Sequence, residues 1–288
     1  MANFTNTTSA VFIPEVWSMK TSIETESYLT AAKLVNKFDA DVAGEGDTVN
    51  VPNVSNFGTA KDKELNTAVE LETTTETSKT ILIDKHKYTA FAIEDKLKKQ
   101  SAYNLTAYYT KKAGYAVAKA IDTDVLASYA DFTTTDAGSY AADISAASMI
   151  AAITQLMTGD VPVEDRAFII HSTQAAALLA VTELIKTDYL GEYDKPTKVR
   201  TGPSSKYLWG MLYGIPVYYS TNVAVTAGTS NQTHNMLIQK EAIGLAMQQQ
   251  PRVQRDYETR NLAEVIVTDV LYGLETIRPE FGVELKSK

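Results

Sequence analysis

Residues 94–130, EDKLKKQSAYNLTAYYTKKAGYAVAKAIDTDVLASYA, decide how the rest of the chain is arranged. The stretch contains no proline, one glycine and many strong helix formers, so it predicts one helix far longer than the usual ~11 to 12 residues. Residues at spacings of three, four or seven form a stripe on it: Ala102, Leu105, Tyr109, Ala113, Ala116, Ala120 and Ala127, flanked by Val117, Ile121 and Val125. Such small side chains let a helix lie flat across a sheet. Six lysines keep its other faces in water: Lys96, Lys98, Lys99, Lys111, Lys112 and Lys119.

The residues before this helix alternate as β-strands do. DTVNVPNV (47–54) predicts a first strand, with Pro52 indicating an edge or a strand end. A second alternating run extends from Val69 to Phe91. Together they predict a long β-ribbon, rich in threonine and poor in large apolar side chains. Because a lone two-stranded ribbon is marginal in water, it needs a surface to lie on, for example on another subunit. The alternative is a polar edge hairpin of an ordinary sheet.

The second half of the chain mixes helical and strand patterns. After a polar loop over 131–142, Asp143 is expected to cap a helix that ends near Met157. RAFIIH (166–171) predicts a buried strand, and 173–185 predicts a helix behind it, which together indicate a mixed α/β core. The rest of the chain predicts a polar loop over 188–208, a turn and strand over 213–220, a strand over 236–239, a short helix over 241–248, and strands from Arg252 onward. We expect these last strands to return to the long helix.

Composition excludes several classes of protein. The 288 residues carry a net charge of −8, so the chain has no overall electrostatic footprint for wrapping nucleic acid, and any DNA contact should be weak or local. There is no cysteine, which excludes disulfides and thiolate metal sites. The start of the chain lacks a signal-peptide pattern, and no apolar run approaches the ~18 residues of a membrane span. We expect a soluble, unexported protein that makes no membrane contact.

No pattern in the sequence indicates catalysis. The chain has three histidines, none spaced as a zinc motif requires: His86, His171 and His234. His171 and Ser172 are adjacent, so their side chains point in different directions and a structural role is expected. Phosphate-binding glycine loops and the G-x-S-x-G motif are also absent. We therefore predict no catalytic residues, no metal ligands and no cofactor.

Two acidic residues lie near the end of the long helix. Asp122 and Asp124 share this helix end with Lys119. Because they are two positions apart, they do not face one another. The sequence favours a solvated or inter-subunit charge cluster.

The order of these segments resembles the major capsid proteins of tailed bacteriophages, the Hong Kong 97-type fold. The resemblance covers essentially the whole chain. It rests on the order of short motifs: Gly46-Asp47-Thr48-Val49, Ala120-Ile121-Asp122, Val161-Pro162, Tyr213-Gly214-Ile215-Pro216-Val217-Tyr218, Ser220-Thr221-Asn222, Lys240-Glu241-Ala242-Ile243, Tyr272-Gly273 and Arg278-Pro279-Glu280.

The resemblance implies an α+β fold in four parts. Residues 1–43 would form an N-terminal arm, and residues 44–93 an extended β-ribbon loop. Residues 94–130 and 252–288 would form a peripheral domain, in which the spine helix lies on a sheet. Residues 131–251 would form a mixed α/β axial domain.

The resemblance also implies a function. The chain would be a structural coat protein, not an enzyme, that self-assembles into hexamers and pentamers of an icosahedral shell enclosing double-stranded phage DNA. It would reside in the virion after assembly in the cytoplasm of the host bacterium. Because the chain begins directly with the arm, a separate scaffolding protein is implied, together with a portal. The alternatives are an encapsulin-like compartment shell and a soluble α/β enzyme or ligand-binding protein.

Two groups of charged residues are predicted to contact neighbouring subunits. The first is the tip of the ribbon, with Lys61, Asp62, Lys63 and Glu64. The second lies at the end of the sheet beside Pro279, with Arg278 and Glu280.

Overall fold

The structure is a computed structural model that describes residues 30–42, 46–54, 60–63, 65–66, 68–69, 71, 76–100, 105–180, 208–227 and 231–288. Predictions for the arm before residue 30, for the helix beyond residue 180 and for most of the 188–208 loop fall outside these residues. No helix in the described ranges is long and apolar enough to cross a membrane.

The helices and strands have the following bounds. The helices are α1 (Asp95–Gln100), α2 (Leu105–Ala127), α3 (Ala146–Thr158) and α4 (Ala175–Ala180). The strands are β1 (Asn36–Lys37), β2 (Thr48–Val54), β3 (Glu76–Leu82), β4 (Lys85–Glu94), β5 (Ala137–Gly138), β6 (Arg166–His171), β7 (Leu208–Leu212), β8 (Ile215–Ser220), β9 (Val225–Thr226), β10 (Gln232–Gln239), β11 (Ile243–Glu258), β12 (Ala263–Thr276) and β13 (Gly282–Ser287).

Within the described ranges, the strands form two sheets and a separate ribbon. The first sheet has four strands in the order β1-β11-β12-β4, and only β1 runs parallel to its neighbour. The second sheet has seven strands, with β5-β13-β10-β6-β8-β7 in sequence and β9 paired with β10. Its β6 and β8 are parallel, consistent with the predicted mixed α/β core. The ribbon is the antiparallel pair β2 and β3.

Helical structure is confirmed over α1 and α2, and the predicted end of the helix is a 3₁₀ turn over Ser128–Asp131. Residues 101–104 lie outside the described ranges, so the continuity of one helix across them stays a prediction. Its buried stripe differs from the prediction. The buried side chains at intervals of four are Ala113, Val117, Ile121 and Val125, whereas Ala116 and Ala127 are exposed. The predicted stripe is therefore correct at Ala113 but wrong at Ala116 and Ala127, because the branched residues predicted to flank it fill the space above the sheet.

Two strands belong to a different sheet from the segments next to them in the chain. β4, which the sequence placed with the ribbon, pairs along its whole length with β12 in the four-stranded sheet. β13, at the end of the chain, pairs with β10 and β5 in the seven-stranded sheet. The division of the chain into four domains stays a prediction.

One hydrophobic core joins the two sheets. It includes Val117 and Ile121 of the spine helix, Tyr272 of β12 and Phe168 of β6. The end of α2 therefore lies where the two sheets meet. This position places the last turns of the helix within reach of residues from both sheets.

Three local predictions are wrong. Residues 241–248 do not form a helix: a single 3₁₀ turn over Lys240–Ala242 is followed by β11, because this segment pairs with β1 and β12 on its two edges. Val69 and Leu71 are not in a strand, residues 72–75 lie outside the described ranges, and β3 covers Glu76–Leu82.

The start of α3 was also misplaced. Ser145, not Asp143, caps this helix, and Ser145 and Ser148 bond reciprocally through side chain and backbone. Its buried residues include Met149 and Leu156, whereas Ile150 and Met157 are exposed.

Candidate assembly surfaces and buried polar clusters

The base of the ribbon is fixed to the four-stranded sheet. Ile81 of β3 is buried in a small apolar cluster with Ala246 and Ile277. Two glycines permit this approach: a Cβ on Gly273 would collide with the carbonyl oxygen of Leu82, and a Cβ on Gly244 would collide with Ile277. The ribbon therefore begins from a rigid, well-packed base.

Beyond this base, the ribbon is held by polar pairs and is open to solvent. Thr80 donates to Asn50 Oδ1 at 2.6 Å, and Thr77 donates to the carbonyl oxygen of Asn53 at 3.2 Å. Residues 77–80 are all exposed. Cross-strand pairs of this kind contribute only ~0.2–1 kcal/mol each, so this part of the ribbon has little of its own to hold it in place.

Apolar side chains are uncovered in the loop between β2 and β3. Leu65 and Leu71 are each 93% exposed, and Val69 is 70% exposed. Single exposed apolar residues are normal on any protein, but three within seven residues of one loop are typical of a surface that another protein covers. We term Leu65, Val69 and Leu71 the ribbon leucine patch.

The predicted contact residues lie in two separate places. Lys61, Asp62 and Lys63 are exposed in the ribbon loop, and Glu64 lies outside the described residues. Arg278 and Glu280 flank Pro279 in a 3₁₀ turn between β12 and β13. A role for either group between subunits stays a prediction.

Arg278 has contacts within its own subunit. Its guanidinium lies 4.9 Å from the centre of the Phe281 ring, a cation–π arrangement, and its backbone N–H donates to the Ala242 carbonyl. Glu280 is exposed on the same turn. The arginine is thus held in a fixed orientation while the glutamate projects into solvent.

Asp122 is buried, which corrects the expectation of a solvated charge. Its side chain has 0% exposure. Oδ1 accepts hydrogen bonds from the backbone N–H groups of Ala31 and Ala32, at 2.8 and 3.4 Å, and Oδ2 accepts from Asn222 Nδ2 at 3.3 Å. One carboxylate therefore joins the spine helix, the 3₁₀ turn at Ala31–Lys33 and the loop after β8. We term this group the Asp122 joint.

Burial and hydrogen bonding have opposite effects on the pKa of Asp122. Burial raises the pKa of Asp122, while the hydrogen bonds from Asn222 and from the backbone of Ala32 and Ala31 act in the opposite direction. No lysine or arginine is among the described partners of this carboxylate. The sequence signal was weak, because the donors are 90 or more residues away in the chain.

Asp124, two positions later, faces the four-stranded sheet instead. It accepts from Tyr272 at 2.7 Å and from Lys85 at 3.1 Å, and Lys87 lies at 3.7 Å. Burial opposes ionisation, but these donors outweigh it and the pKa of Asp124 is lowered. Asp124 therefore attaches the spine helix to β4 and β12, and it too is paired within the subunit.

A third polar cluster holds a distortion in the four-stranded sheet. The pairing of β11 with β12 shifts register between Met247 and Arg252. Asp269 of β12 receives two hydrogen bonds from Arg252, at 3.0 and 3.1 Å, and one each from Gln249 and His86. The Arg252 guanidinium, despite burial, holds the pKa of Asp269 well below its usual range. This carboxylate fixes the bulge through groups on three strands.

The one cluster that combines a histidine, a carboxylate and a phenol within the described ranges is in the seven-stranded sheet. His234 Nδ1 lies 2.7 Å from Glu284 Oε1, Tyr140 donates to the same oxygen at 2.7 Å, and Tyr129 stacks on the imidazole. His234 Nε2 lies 2.9 Å from Thr226 Oγ1. Both ring nitrogens of His234 thus contact protein groups. The cluster connects β10 and β13 with the segments around β5 that contain Tyr129 and Tyr140.

His171 also has a local structural contact. Its Nδ1 lies 2.8 Å from Thr173 Oγ1, and burial lowers its pKa. In the described ranges, no group of three or more His, Asp or Glu side chains is arranged to hold a metal ion.

Of the comparisons with known proteins, the comparison of structures finds matches and the comparisons of sequence do not. No protein-family model and no curated protein sequence matches the chain. A solved structure from Mycobacterium phage Che8 has 24% identity and a TM-score of 0.75, covering 95% of this chain and 97% of that one. The capsid of cyanophage P-SCSP1u has 16% identity and a TM-score of 0.74, with 98% and 94% covered. The capsid of Ralstonia phage GP4 has 11% identity and a TM-score of 0.72, with 95% and 94% covered.

These likenesses extend along nearly the whole length of both chains in each pair. The resemblance to phage capsid proteins inferred from the sequence is therefore confirmed at the level of the fold.

Proposed function

We propose that this chain is the major capsid subunit of a tailed bacteriophage, a structural protein that self-assembles into hexamers and pentamers of an icosahedral shell around double-stranded DNA. The observation that carries the proposal is the near full-length likeness to capsid structures, with TM-scores of 0.74 and 0.72. A container protein needs extended surfaces for contact with its neighbours. The four polar clusters described above instead serve packing within one subunit. The proposal also assigns no catalytic role to the chain.

The proposal includes the Hong Kong 97-type arrangement of arm, ribbon, peripheral domain and axial domain, with the boundaries given above. Its partners are other copies of the chain, a separate scaffolding protein and a portal, with the DNA enclosed and weakly contacted. Assembly takes place in the host bacterial cytoplasm, and the product resides in the virion. Contacts between copies are individually modest, but closed rings repeat them, so weak interfaces add.

The ribbon is proposed to lie on a neighbouring subunit. The ribbon leucine patch supports this, because its three side chains are largely uncovered in one subunit. Burying one such side chain contributes about 1.5–3 kcal/mol, whereas an exposed ion pair contributes about 0.2–1 kcal/mol. The apolar patch should therefore supply most of the contact energy, and Lys61, Asp62, Lys63 and Glu64 should mainly fix its alignment.

Electron microscopy of the full chain, expressed alone and purified, tests the proposal. Wild-type protein should form closed shells, tubes or hexamers. A double variant, Leu65→Ser with Leu71→Ser, should remain folded, because both positions are exposed, but should fail to form these assemblies. Circular dichroism and urea unfolding check the fold of each variant.

The matched control is Leu65→Met with Leu71→Met, which keeps apolar volume at both positions. The control should assemble like the wild type. Shells formed normally by the serine variant would contradict the role given to the ribbon leucine patch. A wild-type chain that remained a small oligomer of fixed size at high salt and under crowding would contradict the capsid function itself.

Charge reversal tests the contact proposed at the end of the sheet. Glu280→Lys changes an exposed side chain with no described partner, so subunit stability should change by less than about 0.5 kcal/mol. If Glu280 contacts another subunit, assembly yield or shell size should change. Arg278→Gln also removes the guanidinium above Phe281, so its effect on unfolding must be measured beside its effect on assembly. Unchanged yield and size in both variants would remove this contact from the proposal.

A further inference from the structure

The outer edge of β11 is covered in its first part and uncovered in its second. Gly244 and Leu245 pair with β1, and the backbone N–H of Met247 donates to Asp39 at 2.9 Å. The stretch Arg252–Glu258 pairs with β12 on one edge, and no other strand among the residues that the structure describes lies along its second edge. All residues of this stretch are exposed. The edge therefore offers its backbone groups to another strand.

One hydrogen bond shows which backbone groups point outward. The N–H of Tyr257 donates to Oδ1 of the adjacent Asp256 at 2.8 Å, which places it on the outer edge of the strand. The register with β12 is unbroken over Arg252–Glu258, so Val253 and Arg255 have the same orientation as Tyr257. A strand added here would bond to the backbone of these three alternate residues.

The edge sequence RVQRDYE (252–258) is complementary to itself in the antiparallel direction. Two copies paired about Arg255 would form three further kinds of pair, each of them twice: Arg252 with Glu258, Val253 with Tyr257, and Gln254 with Asp256. These are an ion pair, an apolar pair and a hydrogen-bonding pair, and cross-strand pairs of such kinds stabilise a sheet. In-register parallel pairing would instead place each charged residue beside its own copy.

The register about Arg255 is favoured over its neighbours. An axis at Gln254 would place Pro251 opposite Tyr257, and proline has no N–H to donate. An axis at Asp256 would place two carboxylates opposite one another. About Arg255, the outward residues of the two copies exchange about six backbone hydrogen bonds. Its cost is the close approach of two arginines, because like charges directly opposite are destabilising.

This pairing also keeps the two faces of the sheet distinct. Tyr257 lies on the helix side, where its hydroxyl donates to Asp95 of α1 at 2.6 Å, and Val253 and Arg255 share that side because side chains alternate along a strand. A two-fold axis perpendicular to the sheet would therefore join two four-stranded sheets with both spine helices on one side. Subunits of a shell must all turn the same face inward, and this arrangement meets that condition.

We propose that the edge Arg252–Glu258 pairs antiparallel with the same edge of a second copy, about a two-fold axis at Arg255. The inference rests on the proposed function and names a contact that joins one ring of subunits to the next. A ring closes through head-to-tail contacts, whereas a self-complementary edge forms a two-fold contact. On pairing, the N–H of Tyr257 exchanges the Asp256 carboxylate for a carbonyl of the other copy. The contact is small, so it is weak for two copies and adds over a shell.

Cysteine cross-linking of the full chain tests this pairing, because the chain has no cysteine of its own. Arg255→Cys would place two Cα atoms about 5.5 Å apart at the axis, within the span of a disulfide. Mild oxidation at a concentration at which subunits assemble should therefore give a linked dimer. The matched control is Arg260→Cys, an exposed position in the turn that follows β11, whose two copies would lie roughly 30 Å apart. The control should give only the background of random collisions.

A mixture of two variants tests the register. Val253→Cys and Tyr257→Cys should link to one another when mixed, and neither should link to itself, because identical positions would lie about 14 Å apart. Circular dichroism checks the fold of each variant. Equal dimer yields from each variant alone and from the mixture would overturn the register. Equal yields from Arg255→Cys and Arg260→Cys would overturn the pairing itself.

Two further substitutions separate backbone pairing from charge. Arg255→Pro and Arg255→Thr both remove the guanidinium, but proline also removes the outward N–H, whereas threonine keeps it and favours a strand. Sedimentation velocity of unassembled subunits should show weaker association than wild type for the proline variant. Association of the threonine variant should be up to about fivefold tighter, because the like charges at the axis are gone. Equal association of the two variants would contradict strand pairing.

Electron microscopy relates this contact to the shell. If wild-type protein forms shells, Arg255→Pro should stop at isolated rings, and urea unfolding should show that its subunits are folded. Normal shells from this variant would overturn the assignment of the edge to the junction between rings. Absence of shells from wild-type protein would count against the proposed function, and the cross-linking yields would still decide whether two copies pair through β11.

Discussion

Asp122 shows how a single residue can have a structural role that its local sequence does not reveal. The pattern around it suggested a solvated acid at the end of a helix. In the structure it is fully buried and accepts hydrogen bonds from Ala31, Ala32 and Asn222. These donors lie roughly 90 to 100 residues away in the chain, and no local rule connects them. A nearby sign did exist, since Asp122 directly follows Ile121 of the buried stripe.

Replacing Asp122 by alanine should destabilise the subunit. The backbone N–H groups of Ala31 and Ala32 would lose their acceptor, and a buried unsatisfied donor costs about 1–3 kcal/mol. Removing a buried carboxylate offsets part of that cost. We expect a net loss of about 2 kcal/mol in the free energy of unfolding, measured by urea denaturation of unassembled subunits. Asp122→Asn should lose less, because the amide oxygen can still accept from Ala31. Equal stability of the wild type and the alanine variant would contradict the joint.

The Asp122 joint should also make the stability of the folded subunit depend on pH. Burial raises the pKa of Asp122 above its ordinary value of 3.8, so the folded protein binds this proton more tightly than the unfolded chain. The carboxyl's contribution to stability is therefore fully present below pH 3.8 and is lost as the pH rises through the raised pKa. Relative to Asp122→Asn, the wild type should become less stable between about pH 4 and the raised pKa, and the difference should then stay constant. A difference independent of pH would exclude the raised pKa.

Asp269 should behave in the opposite way. Arg252 holds its pKa below the ordinary value of 3.8, so its contribution to stability is present above that pH and is lost as the pH falls toward the lower, folded-state pKa. Asp269→Asn should therefore be less stable than wild type at neutral pH, and the gap should close under acid. Urea unfolding of both proteins over a pH series measures the gap. A gap that stayed constant under acid would argue against the ionised carboxylate as the group that holds the bulge.

Elements were predictable from sequence where a segment's own pattern decides its structure. The spine helix, strand β6 and the turn at Tyr213-Gly214 before β8 follow from propensity and periodicity, and all three are present. The sequence predicts a short helix over 241–248, yet from Ile243 onward this segment is strand β11. Its backbone groups pair with β1 and β12, which lie far away in the chain, and this pairing overrides local propensity.

Two glycines test the packing of the ribbon and the helix. Gly273→Ala would drive a Cβ into the carbonyl oxygen of Leu82 at the base of the ribbon, so we expect a loss of about 1–3 kcal/mol and displacement of the ribbon. Gly114→Ala, in the spine helix, meets nothing within 4 Å and should stabilise the subunit by about 0.5–1 kcal/mol. Urea midpoints of the two variants should therefore move in opposite directions. Equal stability of Gly273→Ala and wild type would mean that the ribbon base is not tightly packed.

For the whole molecule, the order of the segments gave more information about the fold than any single segment did. The polar clusters were missed because each joins distant parts of the chain: β4 with the spine helix through Asp124, and β10 with β13 through His234 and Glu284. The inter-subunit residues are a different case, since a single subunit contains only one side of each contact. Exposure of the ribbon leucine patch indicates where such a contact is needed, and the partner's surface must come from another copy.

Salt should separate the two kinds of contact proposed for the shell. Each subunit carries a net charge of −8, so like charges oppose assembly at low ionic strength. Raising the salt from about 0.1 to about 1 M shortens the screening length from ~10 to ~3 Å and weakens both this repulsion and any ion pairs at the ribbon tip. If the ribbon leucine patch supplies most of the energy, shell yield should rise with salt, as measured by light scattering and electron microscopy. Lys61→Gln with Lys63→Gln should then assemble less efficiently at low salt and approach wild type at high salt. A yield that fell with salt in the wild type would instead make the charged tip the main contact.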